Sequence, residues 1–167
     1  RGINLVIEGL EHFLDAAFCA DGASDEGVSY WQYGLINFVA FAELLRCRTG
    51  GQVDMLKNPK LKLIAGFPEA VRLSGDNYYN HADCPTRVRF NPGITSRLAQ
   101  RTRTPGLLGL VARAPGGAGR MSMLLRDLLW WDGRVGRPGP VKSNLLPDVG
   151  IFRLVRGGLV LAGKAGH

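Results

Sequence analysis

The sequence predicts a mainly α protein, a run of helix pairs that gives way to antiparallel strands near its C-terminal end. Three observations carry this. Apolar residues recur at three- and four-residue spacing from Ile3 to Leu45 and again around Leu98 and Leu128. The stretch DGRVGRPGP, residues 132–140, has the composition of a linker. Beyond it the apolar period falls from about four to about two, which is the change from helix to strand. On that division residues 1–133 form a helical unit, and residues 134–167 form a linker and the start of a β unit.

The first helix is read from Ile3, Val6, Ile7, Leu10, Phe13, Leu14, Ala17 and Phe18, an amphipathic stripe ending near Ala20. His12 stands beside that stripe and reads as structural. DGASDEGVSYWQYG, residues 21–34, follows as a loop feeding a helix. Asp21-Gly22 and Glu26-Gly27 are turn chemistry, and Ser24 or Ser29 is placed to cap the helix. Tyr30 and Tyr33, three apart, share a helical face, with Trp31 turned about 100° away. Aromatics at helical spacing are more often core than chemistry; the acids and glycines of this loop argue for a site.

The second helix carries Leu35, Phe38, Val39, Ala42 and Leu45 and stops at Thr49-Gly50-Gly51. Residues 59–74 read as two short helices divided near Gly66 and Pro68. GDNYYNHADCP, residues 75–85, reads as a polar binding loop in which His81 lies near solvent. Its Asp, Asn and His spacing fits no zinc or calcium pattern. Residues 93–103 are helical, with Arg97, Arg101 and Arg103 on the polar side. A short apolar segment (107–112), a breaker (115–119) and a helix (121–131) complete the helical part. Val149–Val155 and Leu159–Ala162, joined at Arg156-Gly157-Gly158, read as a β-hairpin. Two strands alone are marginal, so the hairpin packs on the helices or continues beyond His167, the second being favoured.

The 167 residues and 46% apolar content suit one ordinary domain, or part of a larger one. No run of about 18 apolar residues occurs, so a transmembrane helix is not expected. Three scattered cysteines form neither a disulfide framework nor a metal motif. The net charge of +7 is unevenly divided. Residues 1–85 hold 7 Lys+Arg against 11 Asp+Glu, or −4, and residues 86–167 hold 14 against 3, or +11. A basic half attracts nucleic acid, acidic polysaccharide and anionic lipid alike.

Three stretches, DGASDEGVSYWQYGL (21–35), NYYNHADC (77–84) and LPDVGIFRLVRGGLVLAGKAGH (146–167), resemble the heparinase II/III-like polysaccharide lyases, also seen in oligoalginate lyases. The first resembles the family's DG..EG..YW.YG signature. The resemblance implies part of an α/α toroid followed by the first strands of an antiparallel β-sandwich. It also implies β-eliminative cleavage of a uronate-containing glycan: a base removes the C5 proton and the 4-linked oxygen departs. By position the catalytic tyrosine falls on Tyr30, with Tyr33 in reserve; Trp31 and Tyr33 line the glycan path and His81 lines the cleft. A tyrosine serves as base only if its pKa of about 10 is lowered by nearby cations or donors.

The resemblance further implies an acidic polysaccharide or oligosaccharide partner, no nucleic acid, and a periplasmic or secreted setting. It places the neutralising Asn or His upstream of Arg1 and the sandwich histidines after His167. This stretch alone is then expected to be nearly inactive and without a cofactor, zinc being possible in the sandwich. The competing expectation from charge alone is a non-catalytic helical module that binds an anionic polymer.

Overall fold

The computed structural model describes residues 2–111 and 121–166. Five α-helices and two small antiparallel sheets make it mainly α. The helices are α1 (Gly2–Ala17), α2 (Gly27–Arg48), α3 (Lys60–Ala70), α4 (Pro92–Thr102) and α5 (Met121–Trp130). A two-stranded ribbon, β1 (Arg72–Ser74) and β2 (Asn77–Tyr78), lies between α3 and α4. The C-terminal sheet has the order β3-β4-β5, from Asn144–Leu146, Ile151–Arg156 and Leu159–Lys164. The breaker at 115–119 lies outside the described residues.

α2 is the central helix. Trp31, Leu35, Phe38, Val39, Ala42 and Leu45 are all buried, at the i, i+4, i+7 spacing of a stripe turned inward. Each of the leucine, valine and phenylalanine side chains among them contributes about 1.5–3 kcal/mol on leaving water. The helix ends where glycine permits it. Gly50 and Gly51 hold φ of +58° and +86°, while their amides return to the carbonyls of Cys47 and Arg46, closing a Schellman turn. Its start differs from expectation. Neither serine caps it: Glu26 holds the capping position without a side-chain bond, and Ser24 is buried.

α3 is one helix, and Pro68 lies inside it. Proline has no N–H, so the carbonyl four residues back, that of Ile64, loses its helical partner. The indole Nε1–H of Trp31 donates to that carbonyl at 2.8 Å. A side chain from α2 thus fills the vacancy that divided this segment in the sequence reading.

Residues 75–85 are more ordered than a polar loop. Tyr78 donates its amide to Thr86 and Tyr79 donates to Val71, so the ribbon folds back on α3 with Tyr78 buried. α4 is capped by Asn91, whose Oδ1 accepts the Ile94 amide at 2.9 Å, and Pro92 occupies the first turn.

The sequence reading missed β3. It pairs antiparallel with β4, Leu146 opposite Ile151. Leu146, Val149 and Ile151 belong to the same hydrophobic cluster as the helices, so the hairpin does pack on the helical body. Among the described residues no helix is long and apolar enough to cross a membrane.

Candidate functional site

The loop from Cys19 to Gly27 is folded by its own short contacts. The Gly22 amide donates to Cys19, the Cys19 amide donates to Ala23, and Asp21 Oδ1 accepts the Ala23 amide at 2.9 Å. Gly22, with φ +84°, lies so close to α3 that a Cβ would stand 2.4 Å from the Leu63 carbonyl carbon. A Cβ at Gly27, φ +78°, would stand 2.6 Å from Cys84 Cβ, and one at Gly34 2.7 Å from the Phe13 ring. These three glycines are where the chain must approach its neighbours closely.

Trp31 is 2% exposed and meets Phe90 edge-on at 5.7 Å. The expectation that it lines a glycan path is therefore corrected: its ring is core and its single donor is committed to Ile64. Gln32, beside it, ties α2 to the start of α4, donating to the Arg89 carbonyl and accepting the Asn91 amide.

Packing accounts for the glycines and the tryptophan of the motif but not for its tyrosines. Tyr30 is 45% exposed and Tyr33 69% exposed. Neither hydroxyl has a hydrogen-bond partner among the described residues. Both lie in the first two turns of α2, where the phenols reach solvent. Tyr78 is the opposite case, since burial pushes its phenol far above the ordinary value. Of the four tyrosines, Tyr30 and Tyr33 are exposed, Tyr79 is half-buried and Tyr78 is buried.

His81 also departs from expectation. It is buried, not near solvent, stacked on Tyr79 with ring centres 5.6 Å apart and edge-on to Phe67. Its Nε2 lies 3.1 Å from the Ser24 carbonyl, which can only accept, so Nε2 carries the proton. Its Nδ1 is buried without a partner. His81 holds the signature loop from beneath and does not line an open cleft.

The C-terminal sheet grips the same loop from the other side. The Asp21 amide donates to Asp148 Oδ2 at 2.9 Å, and the Asp148 amide returns to Asp21 Oδ2 at 3.3 Å. Lys164 Nζ stands 3.6 Å from Asp25 Oδ1. Tyr30 therefore follows a segment fixed by α3, by His81 and by the sheet.

Part of the basic half is used internally. Arg97 pairs with Glu43 at 2.8 Å, and Arg101 meets both Glu43 and Asp54, whose carboxylates are almost wholly buried. Arg153 is buried too, as is Arg72 from the acidic half; sequence reading missed both, although an arginine inside the apolar run IFRLV was a signal. Arg97, Arg101 and Arg153 are thus withdrawn from the +11 excess, while Arg87, Arg89, Arg103, Arg137 and Arg156 remain exposed.

Among the described residues no group of three or more His, Cys, Asp or Glu is placed to hold a metal. No family model matches this chain, and no curated protein matches it.

Proposed function

We propose that this chain carries the tyrosine-bearing part of a polysaccharide lyase that cleaves an acidic, uronate-containing glycan by β-elimination. The observation that supports the reading is the division within the motif at 21–34. Its glycines and Trp31 are consumed by packing, while the phenols of Tyr30 and Tyr33 stand at the surface on a rigid helix. A site built on a braced helix holds its geometry better than one on a free loop.

In this reading Tyr30 Oη takes the C5 proton. The C5–H electron pair becomes the C4–C5 double bond, the C4–O bond breaks, and the departing oxygen takes a proton from water, to which Tyr30 in turn loses the one it gained. Tyr33, one turn later, contacts the sugar. The substrate carboxylate must be neutralised by donors as charge develops, and the family resemblance assigns that to residues outside this stretch. The α/α toroid and the β-sandwich belong to the same proposal.

The test is to incubate the complete protein with uronate oligosaccharides and follow the ultraviolet absorbance of the unsaturated product. Tyr30→Phe should abolish the signal with substrate binding retained. Turnover surviving in Tyr30→Phe would remove Tyr30 as base, and competition by DNA at equal charge would favour a charge-driven polymer-binding module.

A further inference from the structure

Arg72 and Arg153 are each 5% exposed, yet neither makes a hydrogen bond to a carboxylate among the described residues. Arg153 donates from Nε to the Lys142 carbonyl at 2.7 Å, and from Nη1 to the carbonyls of Glu69, at 2.8 Å, and Arg72. Arg72 donates from Nη2 to the Gly139 carbonyl. All four acceptors are neutral.

A guanidinium has five N–H donors in a planar fork, so more than half of the pair's donors are unused. Arg72 Nε is buried with no partner among the described residues. Arg72 Nη1 and Arg153 Nη2 also lack an acceptor among the described residues. Two cations removed from water and hydrogen-bonded to no carboxylate are costly, and each raises the cost of the other. Burial first, and the Arg72 charge second, push the Arg153 guanidinium below its ordinary value, with Glu69 opposing.

Both arginines line a cavity of about 300 Å³ that also touches Glu69, Ala70, Gly139, Pro140 and Lys142. It opens where the end of α3, the segment 139–142 and β4 meet. Its charged lining is Arg72, Lys142 and Arg153 against Glu69, three cations to one anion, a balance of +2. Glu69 Oε1 is itself occupied by the Gly139 amide at 3.2 Å. The cavity therefore has spare donors, surplus positive charge and room for a small group.

We propose that this cavity is a binding site for a small oxyanion, a carboxylate or sulfate group, taken by the free edges of the Arg72 and Arg153 guanidiniums with Lys142 at the mouth. The fork geometry of arginine suits two-point contact with such a group. Bound there, the anion ties the C-terminal sheet, through Arg153, to β1, through Arg72. The site stands apart from Tyr30 and does not depend on the lyase reading.

The experiment titrates inorganic sulfate, and separately glucuronate, into the full chain at ionic strength held constant with chloride. The arginine Nε–H resonances and the melting temperature are followed. A saturable shift of the Arg72 Nε–H signal and a rise in melting temperature are expected, and the stronger of the two ligands identifies the preferred oxyanion. Arg153→Gln risks unfolding, so the exposed Lys142→Gln carries the comparison and should weaken binding about two- to fivefold. Tyr30→Phe should bind the anion normally, which separates failure of this site from failure of the lyase reading. A response that does not saturate, one that chloride reproduces, or a titration unchanged by Lys142→Gln would overturn the proposal.

Discussion

Trp31 supplies the hydrogen bond that Pro68 withholds: its indole N–H, from α2, reaches the Ile64 carbonyl at 2.8 Å in the turn of α3 where proline removes the helical donor. The two residues are complementary across a helix contact. Trp31→Phe keeps an aromatic ring but leaves a buried carbonyl unpaired, a loss of about 1–3 kcal/mol with a further cost for the space vacated. Pro68→Ala restores an amide that can bond Ile64 within the helix. In urea unfolding the double variant should recover about 1 kcal/mol relative to the sum of the two single changes. Strict additivity would mean the two residues do not share that carbonyl.

Gly22 and Gly50 separate the cost of conformation from the cost of contact. Both have positive φ, +84° and +58°, but a Cβ at Gly50 meets nothing within 4 Å, whereas one at Gly22 strikes the Leu63 carbonyl carbon at 2.4 Å. Gly50→Ala should cost about 1 kcal/mol, the left-handed penalty alone. Gly22→Ala must also push the loop off the α3 backbone and should cost about 2–4 kcal/mol. Equal losses in denaturant titrations would mean that the loop yields freely, and with it the fixed position of the residues before Tyr30.

How far the sequence discloses this arrangement depends on whether a feature is local. The α1 and α2 stripes, the glycine stop after Arg48 and the helix read over residues 93–103 are written in consecutive residues and match the helices formed. Pro68 misled because its compensation comes from Trp31, 37 residues away in the chain. β3 escaped notice since three residues, Asn144–Leu146, are too few for a period, and their pairing with Ile151–Arg153 is a tertiary matter. Tyr30 and Tyr33 were placed on one face by spacing, but spacing cannot tell a neighbouring tryptophan in the core from one at the surface. His81 looked solvated amid Asn, Asp and Ala, and only the stacking of Tyr79 and Phe67 reveals its burial.

Asp54 ties stability to pH. Burial pushes its carboxyl up, but the Arg101 hydrogen bond and charge outweigh it, and the group titrates below the ordinary carboxylate range. A depressed carboxylate contributes stability that is complete above its unfolded value and is lost as pH falls through the folded one. Asp54→Asn should therefore destabilise at neutral pH, by about 1–3 kcal/mol given the charged bond removed. The two proteins should converge in strong acid. Melting curves between neutral pH and about pH 2 decide it, and a constant gap across that range would assign the effect to packing instead.

The paired contact between Asp21 and Asp148 sets the stiffness of the segment before Tyr30. Each backbone amide donates to the other's carboxylate, at 2.9 and 3.3 Å, on the surface, so each bond is worth only about 0.5–1.5 kcal/mol. Asp148→Ala removes the acceptor for the Asp21 amide, while the Ala23 amide keeps its bond to Asp21 Oδ1. Global stability should fall by less than about 1.5 kcal/mol, because the core beneath is untouched. Local opening is a different quantity, and losing a bond of about 1 kcal/mol raises the open fraction several-fold. Amide hydrogen exchange at Asp21 should quicken about three- to tenfold in Asp148→Ala, with Leu35 and Phe38 deep in α2 unchanged. Exchange at Asp21 that stays at the parental rate would show that the sheet does not brace this loop, leaving α3 and His81 as its supports.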